Sequence, residues 1–366
     1  MGDQITLPLS DPPERPVPDW IPEDLHKVYR NLCSVWGVTK ADAHMRGRVE
    51  ERARKQELTV QRDAEILALP RSTRRRRLIA DAIGEQQPSE DDKRFIHSTL
   101  ALCGLPYKTP PAGTDRYERR YGNAVLRVIA GDLEMPGGST VRPGIPYGPK
   151  ARLLLMHFCS LALRNDSPTI EISPSMSALI RDLGFEVTGG ARGSIAAFKE
   201  QLNRLAACHF ELGWSDGTSA RNKKLNPIED FDVFLSSDPN QPSLWTETVQ
   251  LGDRFFSDLK KHALPIDIRL VRGLTESARK LDILFWLSWR VPKIGGDLYL
   301  SWDNLREQFG AGIADASKFR QAMREDFHAV ADVLPKLRYK LSETGLVVSP
   351  GSLIIPKRRL ITSKRA

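Results

Sequence analysis

Gly189-Gly190-Ala191-Arg192-Gly193-Ser194 runs directly into Ile195-Ala196-Ala197-Phe198-Lys199-Glu200-Gln201-Leu202-Asn203-Arg204-Leu205. The first six residues read as a glycine-rich turn, and the period predicts an amphipathic helix over 191–207. At about 100° per residue, Ile195, Phe198, Leu202 and Leu205 share one side. The other side carries Gly193, Ala196, Ala197, Glu200, Asn203 and Arg204, with Arg192 and Lys199 at its edges. Small residues between long basic ones suit close approach to a groove. A helix N-terminus with accessible backbone N–H groups favours phosphate. Gly189, Gly190, Arg192, Ser194, Lys199 and Arg204 are therefore candidate DNA contacts, with a plain surface helix as the alternative.

Working outward, Pro149 suits a first helical turn, and Leu153, Leu154, Leu155, Phe158, Leu161 and Ala162 predict an apolar helix ending near Asn165. A strand is expected at Thr169–Ile172. Ser173 is placed to cap the next helix, with Pro174 at its first position and Gly184 as its stop. After the basic helix, 209–214 and 231–235 are expected as wing strands, with Arg221, Lys223 and Lys224 at the wing tip. Helix, turn, basic helix and hairpin is the order of a winged helix-turn-helix.

That order recurs. Ser277–Arg290 is an apolar helix, Leu298-Tyr299-Leu300 a strand, and Ser301 caps a helix that reaches Phe309 and stops at Gly310. Asp315–Val333 then reads as a helix burying Phe319, Met323, Phe327 and Val330. Its opposite face carries Ser317, Gln321, Arg324 and His328 in one stripe. Gln suits adenine and Arg suits guanine in a major groove. Lys318 and Arg320 flank the stripe and suit phosphates. An ordinary polar surface face is the competing reading. Strands are expected at 337–341, 346–348 and 353–355.

The chain has 366 residues, 40% hydrophobic and 27% charged, as expected of a globular protein of two or three domains. No apolar run is long enough for a membrane span, and the first residues lack a signal-peptide pattern, so a cytoplasmic protein is expected. Cys33, Cys103, Cys159 and Cys208 form no Cys-x-x-Cys pair and no zinc spacing with the histidines, so they read as reduced and mostly buried. The net charge of +8 and a pI near 9.3 favour an anionic partner. Pro335–Ala366 holds eight Lys or Arg against Glu343 alone, either a solubilising tail or a basic rim for phosphates.

Residues 1–38 are proline-rich, with a helix expected over 23–36 whose apolar side needs a partner. Residues 42–84 read as helix broken at Pro70, with Arg74-Arg75-Arg76-Arg77 as either a solvated face or a phosphate contact. A helix is expected at about 91–103. Strands at 116–121 and 124–130 join at Gly122-Asn123. The fold class expected is mostly α with small β-hairpins (α+β). Residues 1–115 form a variable basic region, partly disordered with helices. Residues 116–245 form a first winged-helix domain with a leading hairpin, and 246–366 a second with a basic C-terminal tail.

Ile145-Pro146-Tyr147-Gly148-Pro149-Lys150-Ala151-Arg152-Leu153-Leu154-Leu155, followed by Gly189-Gly190 and then Gln201-Leu202-Asn203-Arg204-Leu205, resembles the RepA family of plasmid-encoded replication initiators. The shared pattern is a Pro-Tyr-Gly-x-x-Ala-Arg-Leu start, a Gly-Gly turn and a Gln-x-x-Arg-Leu helix. Pro265-Ile266-Asp267 and Leu281-Asp282-Ile283-Leu284-Phe285-Trp286-Leu287-Ser288-Trp289-Arg290 look like the start of the second unit in related initiators. The resemblance spans roughly residues 116–356 and leaves the first 110 or so without a match. It implies a bacterial, plasmid-encoded protein that binds repeated sites (iterons) in double-stranded DNA at the plasmid origin. Such a protein opens adjacent AT-rich DNA and recruits the host replication initiator and the helicase or its loader. Homodimers that repress their own promoter, and monomers that start replication, are part of the same implication.

Rival classes leave weaker marks. No His-x-His pair and no Gly-x-x-x-x-Gly-Lys-[Ser/Thr] occurs, and Asp230-x-Asp232 alone is a poor metal pair, so no enzyme, cofactor or metal is expected. A winged-helix transcriptional repressor, or a copy-control or partition regulator without origin melting, remains the alternative, because fold does not settle function.

Overall fold

The computed structural model describes residues 16–84, 88–135, 137–171, 176–231 and 248–351. The chain divides into two compact units, one ending at Arg74 and one starting at Arg75.

In the first unit, α1 (His26–Trp36) and α2 (Val38–Ala68) meet at Gly37, whose φ of 78° lies in the left-handed region open to glycine. Leu25, Tyr29 and Cys33 pack with Ala41 and Met45, and Tyr29 donates to Asp42 Oδ1 at 2.8 Å. The apolar side expected over 23–36 thus finds its partner in α2. Leu69, held extended before Pro70, ends α2 as expected, and α3 (Arg71–Ile83) follows.

The second unit continues in chain order. It runs through β1 (Lys93–His97), α4 (Ser98–Leu102), β2 (Arg116–Tyr121), β3 (Ala124–Ile129), β4 (Leu133–Met135), β5 (Ser139–Val141), α5 (Gly148–Asn165), β6 (Thr169–Glu171), α6 (Met176–Asp182) and α7 (Ser194–Ala207). Next come β7 (His209–Ser215), β8 (Ala220–Leu225), β9 (Asp230–Phe231), β10 (Thr248–Gln250), α8 (Asp253–His262), β11 (Ala263–Asp267), α9 (Ile268–Arg272) and α10 (Ala278–Arg290). Last are β12 (Leu298–Ser301), α11 (Trp302–Phe309), α12 (Ala316–Val333), β13 (Tyr339–Leu341) and β14 (Gly345–Val348). No helix among the described residues is long and apolar enough to cross a membrane.

Helices with small antiparallel sheets make an α+β unit. Its centre is α5 and α10, where Ala151–Ser160 and Leu281–Ser288 are buried without interruption. A helix buried all round is a core helix, and both have the apolar composition for it. All four cysteines are free and buried. The Arg74–Arg77 block is only partly solvated. Arg76 is 6% exposed and pairs with Asp332 at 3.3 Å and Glu276 at 3.5 Å, while Arg77 reaches Asp332 at 3.2 Å.

Two expectations need correction. The helix expected at 91–103 is instead strand β1 followed by the single turn of α4. β1 pairs antiparallel with β11, far along the chain, and its Phe95 N–H is held by Ser160 Oγ at 2.8 Å. A short apolar run cannot reveal such a distant partner. The hairpin β2–β3 turns at Gly122-Asn123 as expected, but β7 and β8 extend it to a sheet of order β2-β3-β7-β8. The strand at 209–215 therefore pairs with 220–225. β8 escaped notice because Ala-Arg-Asn-Lys-Lys-Leu leaves most of its side chains wet and shows no apolar alternation. Asp230–Phe231 joins the sheet β6-β10-β9, and the rest of the strand expected at 231–235 lies outside the described residues. So do the cap at Ser173, the strand at 353–355 and residues 352–366 of the basic tail.

His157 of α5 offers a test of this core. It is buried, its Nε2 has no hydrogen-bond partner, and burial lowers its pKa to about 4. A folded value below the unfolded value of about 6.5 means that folding favours the neutral ring. The contribution is complete above pH ~6.5 and is lost as pH falls towards ~4, about 3 kcal/mol in all. Urea titrations at several pH values should show this loss in the native chain, reduced in His157→Leu. Parallel pH profiles for the two proteins would contradict it.

Candidate nucleic-acid interface

The turn before α7 is built by its own residues. Ser194 N–H donates to Thr188 Oγ1 at 2.8 Å, and Ser194 Oγ accepts from Thr188 N–H at 2.9 Å. Gly193 N–H closes on Gly190 C=O at 3.0 Å, and Gly190 takes a φ of 80°. Gly189 and Arg192 face solvent. Ile195, Phe198, Leu202 and Leu205 turn inward as the period predicts. Lys199 is half-buried, which lowers its pKa.

Arg204 is fully engaged. Its guanidinium binds Glu200 at 2.9 Å, donates to the Ile145 carbonyl at 3.0 Å and lies over the Tyr147 ring at 5.0 Å. It ties α7 to the entrance of α5.

On α12, Asp315 accepts from Lys318 N–H at 2.7 Å and caps the helix. Phe319, Met323, Phe327 and Val330 are buried, as expected. The polar stripe divides in two. Ser317, Lys318 and Arg320 are exposed, and so is Gln321, whose amide donates to Glu325 at 3.0 Å. Arg324 instead lies over the Trp302 ring at 4.8 Å and donates to the Ser342 carbonyl at 2.8 Å. His328 Nδ1 is 2.9 Å from the Tyr339 hydroxyl. Arg324 thus fastens α12 to α11 and the β13–β14 turn, while His328, itself exposed, meets β13.

Arg221, Lys223 and Lys224 are not at a hairpin tip but along β8. The tip is Asp216–Ser219, where Asp216 Oδ1 accepts from the N–H groups of Thr218 and Ser219 at 3.1 and 2.8 Å. Arg221 is exposed, Lys223 is paired with Asp258, and Lys224 stands 3.6 Å from Glu211.

A cleft of about 540 Å³, which no sequence motif announced, lies between β7–β8 and the residues of β1, α4 and α8. At its floor His97, Asp258 and His262 bring possible ligand atoms within 4.8 Å. Their hydrogen bonds argue against a metal. His97 Nδ1 accepts from Thr99 N–H at 3.2 Å, so the proton sits on Nε2, which donates to Asp258 Oδ2 at 3.1 Å. The Lys223 ammonium holds the other carboxylate oxygen. Burial keeps His97 below its usual pKa, hence neutral. The hydrogen bonds from His97 and then Lys223 hold Asp258 far below the carboxylate range.

A second feature escaped the sequence. Arg152 on α5 and Asp282 on α10 form a buried bidentate pair, at 2.6 and 2.9 Å. Arg152 also donates to the carbonyls of Leu105, Pro106 and Gly148 at 2.5, 3.1 and 2.9 Å. Arg119 of β2 sits 3.7 Å from the same carboxylate and donates to Tyr107 Oη at 2.8 Å and to the Gln308 carbonyl. Burial pushes the Tyr107 phenol up, keeping it neutral. Arg152 and Asp282 come from the two motifs that carried the resemblance. Their types hinted at pairing, but only the fold joins them.

No curated protein matches the chain. Two solved structures share its course weakly. One is a selenomethionine derivative of domains 2 and 3 of RctB, with a TM-score of 0.45 and 10% identity over 70% of this chain and 98% of that one. The other is a second structure of the RctB domains 2-3, with a TM-score of 0.44 and 10% identity over 70% and 97%. The family model described as "Plasmid encoded RepA protein" matches residues 145–304, from the entrance of α5 into α11 and including both Arg152 and Asp282. Over that segment the chain matches the RepA family, the resemblance that its Pro-Tyr-Gly-x-x-Ala-Arg-Leu and Gly-Gly motifs led one to expect.

Proposed function

We propose that this protein is a plasmid replication initiator that binds repeated duplex sites through two winged-helix units in tandem. The observation that carries the reading is a repeat of topology. α5–β6–α6–α7–β9–β10 and α10–β12–α11–α12–β13–β14 follow one order. In both, the three strands lie first, third, second across an antiparallel sheet. Helix, strand, two helices and a closing pair of strands is the order of a winged helix-turn-helix, with α7 and α12 as the reading helices. β7–β8 is an insertion between α7 and β9 in the first copy.

In this reading Ser317 and Gln321 meet base edges, Lys318 and Arg320 hold phosphates, and the Gly189–Arg192 turn receives a phosphate at the start of α7. Arg204, Arg324 and His328 position the helices. The protein acts without enzymatic chemistry of its own, by gripping origin repeats, promoting opening of AT-rich DNA and recruiting host replication proteins. The match of residues 145–304 to the RepA family supports that role.

The double variant Lys318→Ala/Arg320→Ala should reduce the slope of log K against log salt by about 2, at roughly 0.9 per phosphate contact. Arg204→Ala should leave the slope unchanged. Gln321→Ala should cost about 1–3 kcal/mol on a specific site and little on random DNA. Titrations of duplex DNA at several salt concentrations measure all three. An unaltered slope in the double variant would remove α12 from the interface.

A further inference from the structure

We propose that the cleft against β7–β8 holds an unpaired nucleotide of a nucleic-acid strand. The antiparallel register sets Trp214 opposite Arg221 and Leu212 opposite Lys223, all on the wall of the cleft. Trp214 is 46% exposed, a large indole surface left open beside an exposed guanidinium. Leu102 and Ala124 extend the apolar lining next to it. Lys223 answers Asp258, so the net charge of the lining is that of Arg221. An aromatic face for a base, with a cation beside it for the adjoining phosphate, is the combination that grips single strands. Paired bases in a duplex keep their faces stacked on one another, so the indole can stack only on a base that has left its helix. The volume of about 540 Å³ is ample for one nucleotide, and the groove is open for a strand to enter and leave.

Trp214 and Arg221 line the cleft whichever helices meet duplex DNA, so the inference does not rest on the duplex reading. The probes are fluorescein-labelled oligo(dT) and oligo(rU) of fifteen nucleotides, titrated by anisotropy against the full chain. The native protein is expected to bind at least one of them. Trp214→Ala should weaken that binding about tenfold or more, and Trp214→Phe should restore most of it. Arg221→Ala should weaken it and lower the salt slope. Trp214→Ala should keep the native melting temperature and the native affinity for duplex repeats. The preference between the two oligomers, repeated with oligo(dU) so that the base is the same, identifies the sugar of the strand that the cleft takes. Failure of the native protein to bind either oligomer would overturn the proposal, as would equal binding by Trp214→Ala. A protein that grips the oligomer through Trp214 but protects no duplex repeats would leave this cleft standing and remove the duplex reading. Duplex protection without oligomer binding would do the reverse.

Discussion

Asp282→Ala is expected to lower the free energy of unfolding by about 3–5 kcal/mol. The carboxylate is buried between α5 and α10 and answers two guanidiniums, Arg152 at 2.6 Å and Arg119 at 3.7 Å. Removing it leaves two desolvated cations with no anion to face, which costs more than the intact pair contributes. Arg152→Met should fall in the same range, since it leaves the carboxylate facing only the more distant Arg119. It also frees three carbonyls that Arg152 now satisfies. The double variant Arg152→Met/Asp282→Ala should cost less than the sum of the two single changes, because neither charge is then stranded by loss of the other. Arg119 would still lack its anion, so recovery should be partial. Urea unfolding of the four proteins closes the cycle. A cost below about 1 kcal/mol for Asp282→Ala would show that the pair is dispensable to the core.

Gly193→Ala is the second large effect, and it falls at the start of α7. A methyl group there would lie 2.3 Å from the carbonyl oxygens of both Thr188 and Gly189. Those are backbone atoms, so the turn itself must open, and the reciprocal Thr188–Ser194 bonds go with it. The expected cost is about 1–3 kcal/mol in stability, as for other overpacked positions. Duplex binding should weaken as well, since the start of α7 moves. Gly189→Ala is the internal control, because a Cβ there meets nothing within 4 Å and its φ is not positive. Thermal melts and duplex titrations of both variants separate the effects. Equal behaviour of the two would mean that the turn tolerates a side chain at 193.

How much of this was legible before the fold was known depends on where each signal lies in the chain. α7, α11 and α12 were readable because a buried stripe repeats within one helix, and α5 and α10 because each is a long apolar run, and Ser301 and Ser277 cap the helices that they precede. β1 was misread because its partner β11 is distant in sequence. β8 was passed over because its exposed basic face hides the alternation. Among the candidate contacts, Ser317, Lys318, Arg320 and Gln321 stand on an exposed face, as their period implied. Arg204 and Arg324 lie on the faces assigned to them, yet each is claimed by a carbonyl and an aromatic ring from another element. No periodicity shows such claims, because they depend on what packs alongside. For the same reason the Arg152–Asp282 pair and the Trp214 cleft appear only when separate stretches are brought together.

Two tandem winged helices that read repeated sites at an origin should leave a distinctive pattern on that DNA. A footprint of the purified chain on the DNA adjoining its gene, combined with permanganate probing, tests it most directly. Protection of a series of repeats is expected, with permanganate-reactive thymines in the neighbouring AT-rich segment. Protection of a single promoter palindrome with no reactive thymines would contradict it and make the protein a repressor.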